Sequence, residues 1–323
     1  MIGVLSPPPE LPDAVVAAAI GAAWGLAVAE LAYAPVGFGS HHWVLADGGG
    51  RRWFASVDDL DTRRVEVGES LDAPYGRLRA SLEAAAHLRD QGCAFVVAPV
   101  RAGGGEVAVR LDDRFAAALY PHLDGESFDW STQPSARHRD AVLDMLLALH
   151  AAPPPPSARH DGFAIPHRDE VAAAVRGEHP PAAGPYAGRT ADLLAAAGPY
   201  VSGLLDRYDT LVARCRGGRR VLTHGEPHPG NTMRTAAGWH LIDWDTALVA
   251  LPERDLWMLD PAQHRAYAEA TGVPVDPAAL DLFRLRWDLA DLAMAVSRFR
   301  APHTGSADDA ENWDILERLV QPS

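Results

Sequence analysis

One stretch, VLTHGEPHPGNTMRTAAGWHLIDWD from Val221 to Asp245, constrains this chain more than any other. Val221-Leu222-Thr223 is an apolar lead-in. The run that follows, His224-Gly225-Glu226-Pro227-His228-Pro229-Gly230-Asn231, carries prolines and glycines that exclude a regular helix or a central strand. A second apolar run, Trp239 to Ile242, then delivers Asp243-Trp244-Asp245. A loop presenting a carboxylate and an amide, followed by a strand presenting a second carboxylate, can build a magnesium–phosphate site. Asn231 and Asp243 supply hard oxygen ligands, and Glu226 is left to accept a proton from an attacking hydroxyl.

The spacing matches a known scheme. Protein kinases use H-R-D-x-x-x-x-N for the base and one metal ligand, then D-F-G for the other ligand. His224, Glu226 and Asn231 keep that register, and Pro229 stands where many kinases also carry proline. The stretch resembles the aminoglycoside/choline kinase branch of the kinase-like fold, whose usual text is H-G-D-x-H-P-x-N followed by I-D-W/F-x. It is most like the spectinomycin- and hygromycin-type phosphotransferases. It departs from them at the base, where Glu226 replaces Asp. A zinc site on His224 and His228 is the competing arrangement. Zinc proteases, however, need H-E-x-x-H on a continuous helix, and here the glutamate comes one place late among helix-breaking Gly and Pro residues.

At 323 residues the chain can form two lobes or one large domain, and 48% hydrophobic residues are ample for a core. The net charge of −14 argues against nucleic-acid binding, because phosphate backbones need a basic face. It is compatible with a cationic small-molecule partner. Cys93 and Cys215 form no disulfide framework or metal pattern, so a cytoplasmic setting is expected. Ala14 to Ala29 is uncharged but too short for a comfortable membrane span, and is expected as a buried helix rather than a membrane segment. All 29 basic residues are arginine, which removes any phosphate-binding lysine.

The resemblance implies an α+β, protein-kinase-like two-lobe fold: a small β-rich lobe over residues 1–125 and a larger, mostly helical lobe over 126–323. Strands are expected at His41–Leu45 and Arg52–Val57 around an Asp47-Gly48-Gly49-Gly50 turn, and again at Ala94–Val100 and Glu106–Leu111. Gly37, Gly39 and Ser40 form a G-x-G-S run that can bring backbone N–H groups close to phosphates, or simply close a tight hairpin. The strand lysine of the resembling family aligns with Ser56. Arg51, Arg52, Arg63 and Arg64 all lie near enough in sequence to replace its charge. Tyr75–Gln91 has helical periodicity and the place of the kinase αC helix. Its Glu83 lacks the usual lysine partner, which favours a surface or an arginine-paired role. Tyr120-Pro121-His122-Leu123 resembles the hinge that receives adenine, with the donor N–H coming from His122 or Leu123, since Pro121 has none.

In the second half, Ser135–His150, Tyr200–Arg214, Phe283–Phe299 and Asp308–Val320 are expected as helices, and Gly162–Pro199 as helical pieces broken by Gly and Pro. The resemblance implies ATP or GTP with Mg2+, and transfer of the γ-phosphoryl group to a hydroxyl of a small molecule, with an aminocyclitol antibiotic among the acceptors. Asn231 and Asp243 would hold the metal, Glu226 would act as base, and His228 would either touch the transferred phosphate or pack in the loop. Gly37, Gly39, Ser40, Tyr120 and His122 would meet the nucleotide. His224, Asp245 and Asp255 would be structural supports. Asp288 and Asp291 share a helix face and, together with Trp287, could contact a cationic acceptor, or be solvated or cap the helix. A second class also stands: a kinase-like nucleotide-binding protein without transfer, because Glu226 and Ser56 alter the base and the phosphate grip.

Overall fold

A computed structural model describes residues 6–37, 39–178, 180 and 183–321. The chain opens with helix α1 (Asp13–Trp24), which is shorter than its uncharged sequence allows. Gly25 takes the left-handed conformation that ends a helix at φ 66°, and strand β1 (Val28–Ala34) begins three residues later. Next come β2 (Ser40–Asp47), β3 (Arg52–Asp59), helix α2 (Asp72–Asp90), β4 (Val109–Arg110) and β5 (Phe115–Pro121). These strands form one antiparallel sheet in the order β1-β2-β3-β5-β4.

Strand alternation gives that sheet two different faces. Trp43, Leu45, Trp53, Ala55, Val57, Phe115, Ala117 and Leu119 pack against Val16 and Ile20 of α1. On the other face, Leu78, Leu82 and Ala86 of α2 cover Ala116 and Ala118. Cross-strand register leaves Ser40, His42, Phe54, Ser56, Asp58 and Tyr120 on this second face.

Two expected strands are largely absent. Residues 94–100 are irregular, with a single bridge from Val96 to Leu241, and only Val109–Arg110 of the second run is strand. The first segment bonds instead to the far half of the chain: Val97 N donates to Leu241 O, and Leu241 N to Phe95 O.

Strand β6 (Gly125–Ser127) starts the second half. It is followed by helices α3 (Ala136–Ala151), α4 (Arg168–Val175) and α5 (Ala187–Cys215). Then come β7 (Val221–Thr223), β8 (Thr232–Thr235), β9 (Gly238–Leu241), β10 (Leu248–Ala250), and helices α6 (Glu253–Leu256), α7 (Pro261–Thr271), α8 (Pro277–Arg300) and α9 (Ala307–Leu319). Ser135 caps α3 through a bond from His138 N, as helix-start chemistry dictates. The expected break at Pro199 does not occur. Helix α5 runs through it because its apolar stripe, Leu194, Val201, Leu205, Tyr208 and Val212, is buried against α8, and that packing outweighs one lost backbone bond.

The second core is the one that matters for the site. Ala84, Ala85 and Leu88 of α2, Leu146 and Leu149 of α3, and Leu222, Leu241, Trp244 and Val249 from around the motif form one buried cluster. The Pro/Gly-rich loop is therefore an irregular segment mounted on packed elements. Among the described residues no helix is long and apolar enough to cross a membrane.

Candidate active site

The loop is built by a buried hydrogen-bond frame around His224. Its Nε2–H donates to Ile242 O at 2.8 Å, and its Nδ1 accepts from Glu226 N at 3.2 Å. Both bonds suit one neutral tautomer, and burial lowers the ring's pKa and keeps it neutral. Asp255, fully buried, accepts from His224 N at 2.9 Å, Gly225 N at 2.5 Å and His150 Nε2 at 3.0 Å. Gly225 has φ 105°, and a Cβ there would collide with the Arg254 guanidinium, so any other residue would be strained and would displace Arg254. Arg254 in turn ties Thr223 to Thr246.

This frame brings the two halves of the motif together. Ile242 N donates to Asn231 O at 3.0 Å, which sets Asn231 beside the turn that carries Asp243. The Asn231 side-chain amide donates to Glu226 O at 3.0 Å, and so its carbonyl oxygen points away from that bond. Asp243 has a positive φ of 63°, a conformation uncommon for a non-glycine residue and found at sites where a side chain must be aimed. Burial, then Asp245 and Glu226, raise its pKa well above the carboxylate range. The Asp245 pKa is lowered: burial opposes this, but Arg63 outweighs it.

Arg63 closes the site from the sheet side. Its Nη2 lies 2.5 Å from Asp58 Oδ1, 2.7 Å from Asp245 Oδ2 and 2.9 Å from Ser40 Oγ. Ser40 donates its own hydroxyl to Asp58 at 2.7 Å. Thus Ser40, expected over phosphates, has its hydroxyl engaged with Arg63 and Asp58. Gly37 and Gly39 have φ of 75° and 80°, as a glycine turn requires; Phe38 between them lies outside the described residues. His42 packs beneath Gly37, donates a 2.8 Å bond from Nδ1–H to Val36 O, and stacks on Phe54. Sequence reasoning missed it, since one of two adjacent histidines carries no signal until the strand register is known.

Ser56 sits between His42 and Ala118 on the same sheet face. Tyr120 is on that face too, and burial followed by Asp58, Asp243 and Asp245 raises its phenol pKa. Its ring therefore approaches the acidic cluster. The His122 N–H is already engaged by Arg52 O at 3.3 Å, extending the β3–β5 ladder, which removes one of the two donors expected for adenine. Glu83 is turned to the outside, where Arg101 grips both its oxygens at 3.0 and 2.7 Å.

On the open side of the loop stands an aromatic wall. Trp257 meets Trp287 at 5.7 Å, Trp287 stacks on Trp130 at 5.5 Å, and Trp130 meets His228 edge-on at 4.2 Å. His228 Nε2 lies 3.9 Å from Glu226 Oε2, so the wall ends at the expected base. Asp291 belongs to the same region: burial raises its pKa to about 6, with Glu226 and Asp288 adding to the rise. Trp130 and Trp257 were not legible as site residues. Trp130 lies in a polar loop far from the motif, and nothing local marks it.

Residues 34–283 match the family model described as "Phosphotransferase enzyme family". The chain belongs to this family. The phosphotransferase is 32% identical over 272 residues to "Protein StrN" of Streptomyces griseus, covering 79% of this chain and 80% of that protein. Among solved structures it is similar to a spectinomycin phosphotransferase, with TM-score 0.72 and 15% identity over 98% of this chain and 96% of the other. It is also similar to a choline kinase from Streptococcus pneumoniae, with TM-score 0.60 and 13% identity over 95% and 98%. At such identities the likenesses establish the kinase-like fold of this phosphotransferase.

Proposed function

We propose that the chain moves the γ-phosphoryl group of ATP or GTP to a hydroxyl of a small, cationic acceptor. The observation that carries this reading is the convergence of Asn231, Asp243, Glu226 and Arg63 around one backbone frame. Solved relatives of the same fold add support: one is a spectinomycin phosphotransferase in complex with ADP and spectinomycin, another an amicoumacin kinase in complex with AMP-PNP and Ca2+.

The residues suit a divalent ion. Three carboxylates, Asp58, Asp243 and Asp245, face one guanidinium, and an amide and a carboxylate oxygen make a hard donor set. Asn231 and Asp243 would hold magnesium, which supplies charge neutralisation on the transferring phosphate. Glu226 takes the acceptor hydroxyl's proton as the new O–P bond forms, while the bond from Pγ to the bridging oxygen breaks and the nucleoside diphosphate leaves. His224, Asp245 and Asp255 hold this geometry. Gly37 and Gly39 would cover the phosphates, and the Leu123 N–H would take the nucleobase-facing role that His122 cannot.

Asn231→Ala is expected to weaken magnesium-dependent nucleotide binding about tenfold or more, through loss of one metal ligand, with no effect on metal-free binding. Titration calorimetry with and without magnesium checks this, and equal losses in both conditions would contradict the metal role.

The wall supports a cationic acceptor. Trp130 and Trp287 offer aromatic faces to a cation, and Asp288 and Asp291 offer carboxylates. Because an ionised Asp291 attracts a cation, KM for an amine-bearing acceptor is expected to rise as pH falls through about 6. Asp291→Asn should flatten that profile. A pH series of KM on both proteins tests it, and superimposable profiles would remove Asp291 from the acceptor site.

A further inference from the structure

We propose that Arg63 is the phosphate-gripping cation of this lysine-free chain, held ready by Asp58 and Asp245 until a nucleotide's phosphates reach it. The inference rests on the nucleotide-dependent function proposed above.

Four arginines could replace the strand lysine, and their contacts separate them. Arg51 lies over the Trp53 ring at 4.1 Å. Arg52 bonds His122 and Asp124. Arg64 pairs with Asp61 at 2.9 Å. Arg63 alone among the four contacts both the sheet, through Ser40 and Asp58, and the Asp243-Trp244-Asp245 turn.

Its donors are incompletely used. Nη2 serves Asp58, Asp245 and Ser40, but the Nε–H is buried without a hydrogen-bond partner. A buried, unbonded guanidinium donor is costly unless something supplies an acceptor, and phosphate oxygens match the guanidinium fork. The position is also braced. Arg77 of α2 donates through Nη2 to Arg63 O and to Glu69 Oε2, both at 2.8 Å. Helix α2 thus supports the cation through a backbone carbonyl, while Glu83 faces Arg101 outside the cleft. Ser56 and Glu83 depart from the kinase pattern together because the charge now enters from the loop after β3, not from β3 itself.

The test compares ligands that differ only in phosphate. Adenosine and ADP binding, each with magnesium, are measured by calorimetry for the wild type, Arg63→Lys, and the pair Arg63→Gln with Asp58→Asn. The pair removes the charge and spares the buried Asp58 carboxylate, leaving Asp245 as the one former carboxylate partner still present. Thermal melting confirms that each variant is folded. The pair is expected to lose about 10- to 100-fold in ADP affinity, with adenosine affinity within about threefold of wild type. Arg63→Lys should fall between, since it keeps the charge and loses the fork. Unchanged ADP affinity, or equal loss for adenosine and ADP, would overturn the proposal. If the wild type bound neither ligand nor guanosine and GDP in their place, the nucleotide-dependent function itself would fail, an outcome distinct from a loss confined to the variants.

Discussion

Replacing Glu226 with Gln is expected to lower kcat about 10³-fold while leaving magnesium–nucleotide affinity within about threefold of wild type. A positioned base contributes on the order of 10²–10⁴ in rate, and Gln keeps the shape while losing the ability to take the proton. The two effects should separate because the Glu226 backbone, not its side chain, supports the metal side. Its N–H is held by His224 and its carbonyl accepts the Asn231 amide, bonds that Gln preserves. The carboxylate itself is partly exposed, at 31%, and faces the aromatic wall through His228. Glu226→Asp probes reach: it withdraws the carboxylate by roughly 1.5 Å, and a shift of that size costs about a hundredfold when the loop is set for Glu. Steady-state kinetics against a panel of hydroxylated amines, paired with nucleotide titration, reads both variants. Full turnover in Glu226→Gln would sink the base assignment. Nucleotide binding by the wild type, with no turnover on any acceptor, would favour the binding-protein reading.

What was legible in the sequence follows from chain distance. The family and the two-lobe fold could be read because His224, Glu226, Asn231 and Asp243 sit within one short stretch, where Pro and Gly fix the loop and apolar runs flank it. Arg63 could be named among four but not chosen, because its partners Ser40, Asp58 and Asp245 meet only after β2, β3 and the second half of the chain are assembled. The aromatic wall draws Trp130, His228, Trp257 and Trp287 from four separate segments, and only Trp287 and His228 are site candidates from the sequence alone. The strands expected at 94–100 and 106–111 failed for a related reason. Their apolar residues are buried against α2, β9 and β5, so hydrophobicity was right, while Pro99 lacks the N–H a ladder needs and the glycines at 103–105 form a turn between the two runs. In α5 the opposite occurred, with tertiary burial overriding the breaker at Pro199.

Asp255→Ala is expected to destabilise the fold by about 3–5 kcal/mol, the range for removing one partner from a buried charged network. The side chain is fully buried and is the common acceptor for His224 N, Gly225 N and His150 Nε2, so alanine strands three donors. Asn is no remedy: its amide NH2 must face one of those N–H groups, leaving a clash of donors and a loss of about 1–3 kcal/mol. The pH dependence has a definite sign. Burial would raise the Asp255 pKa, but the His150 bond together with the neighbouring Arg254 and His224 outweighs it, and the folded value lies below that of a free aspartate. The stabilisation is therefore complete above the unfolded value of about 3.9 and is lost as pH falls through the lower folded value. Thermal melts of wild type, Asp255→Asn and Asp255→Ala at neutral and acid pH follow this, and the gap between wild type and alanine variant should narrow in acid. A gap that stays constant, or an alanine variant as stable as wild type, would mean that the loop's geometry is held by Arg254 and the apolar cluster under Trp244, with Asp255 a bystander.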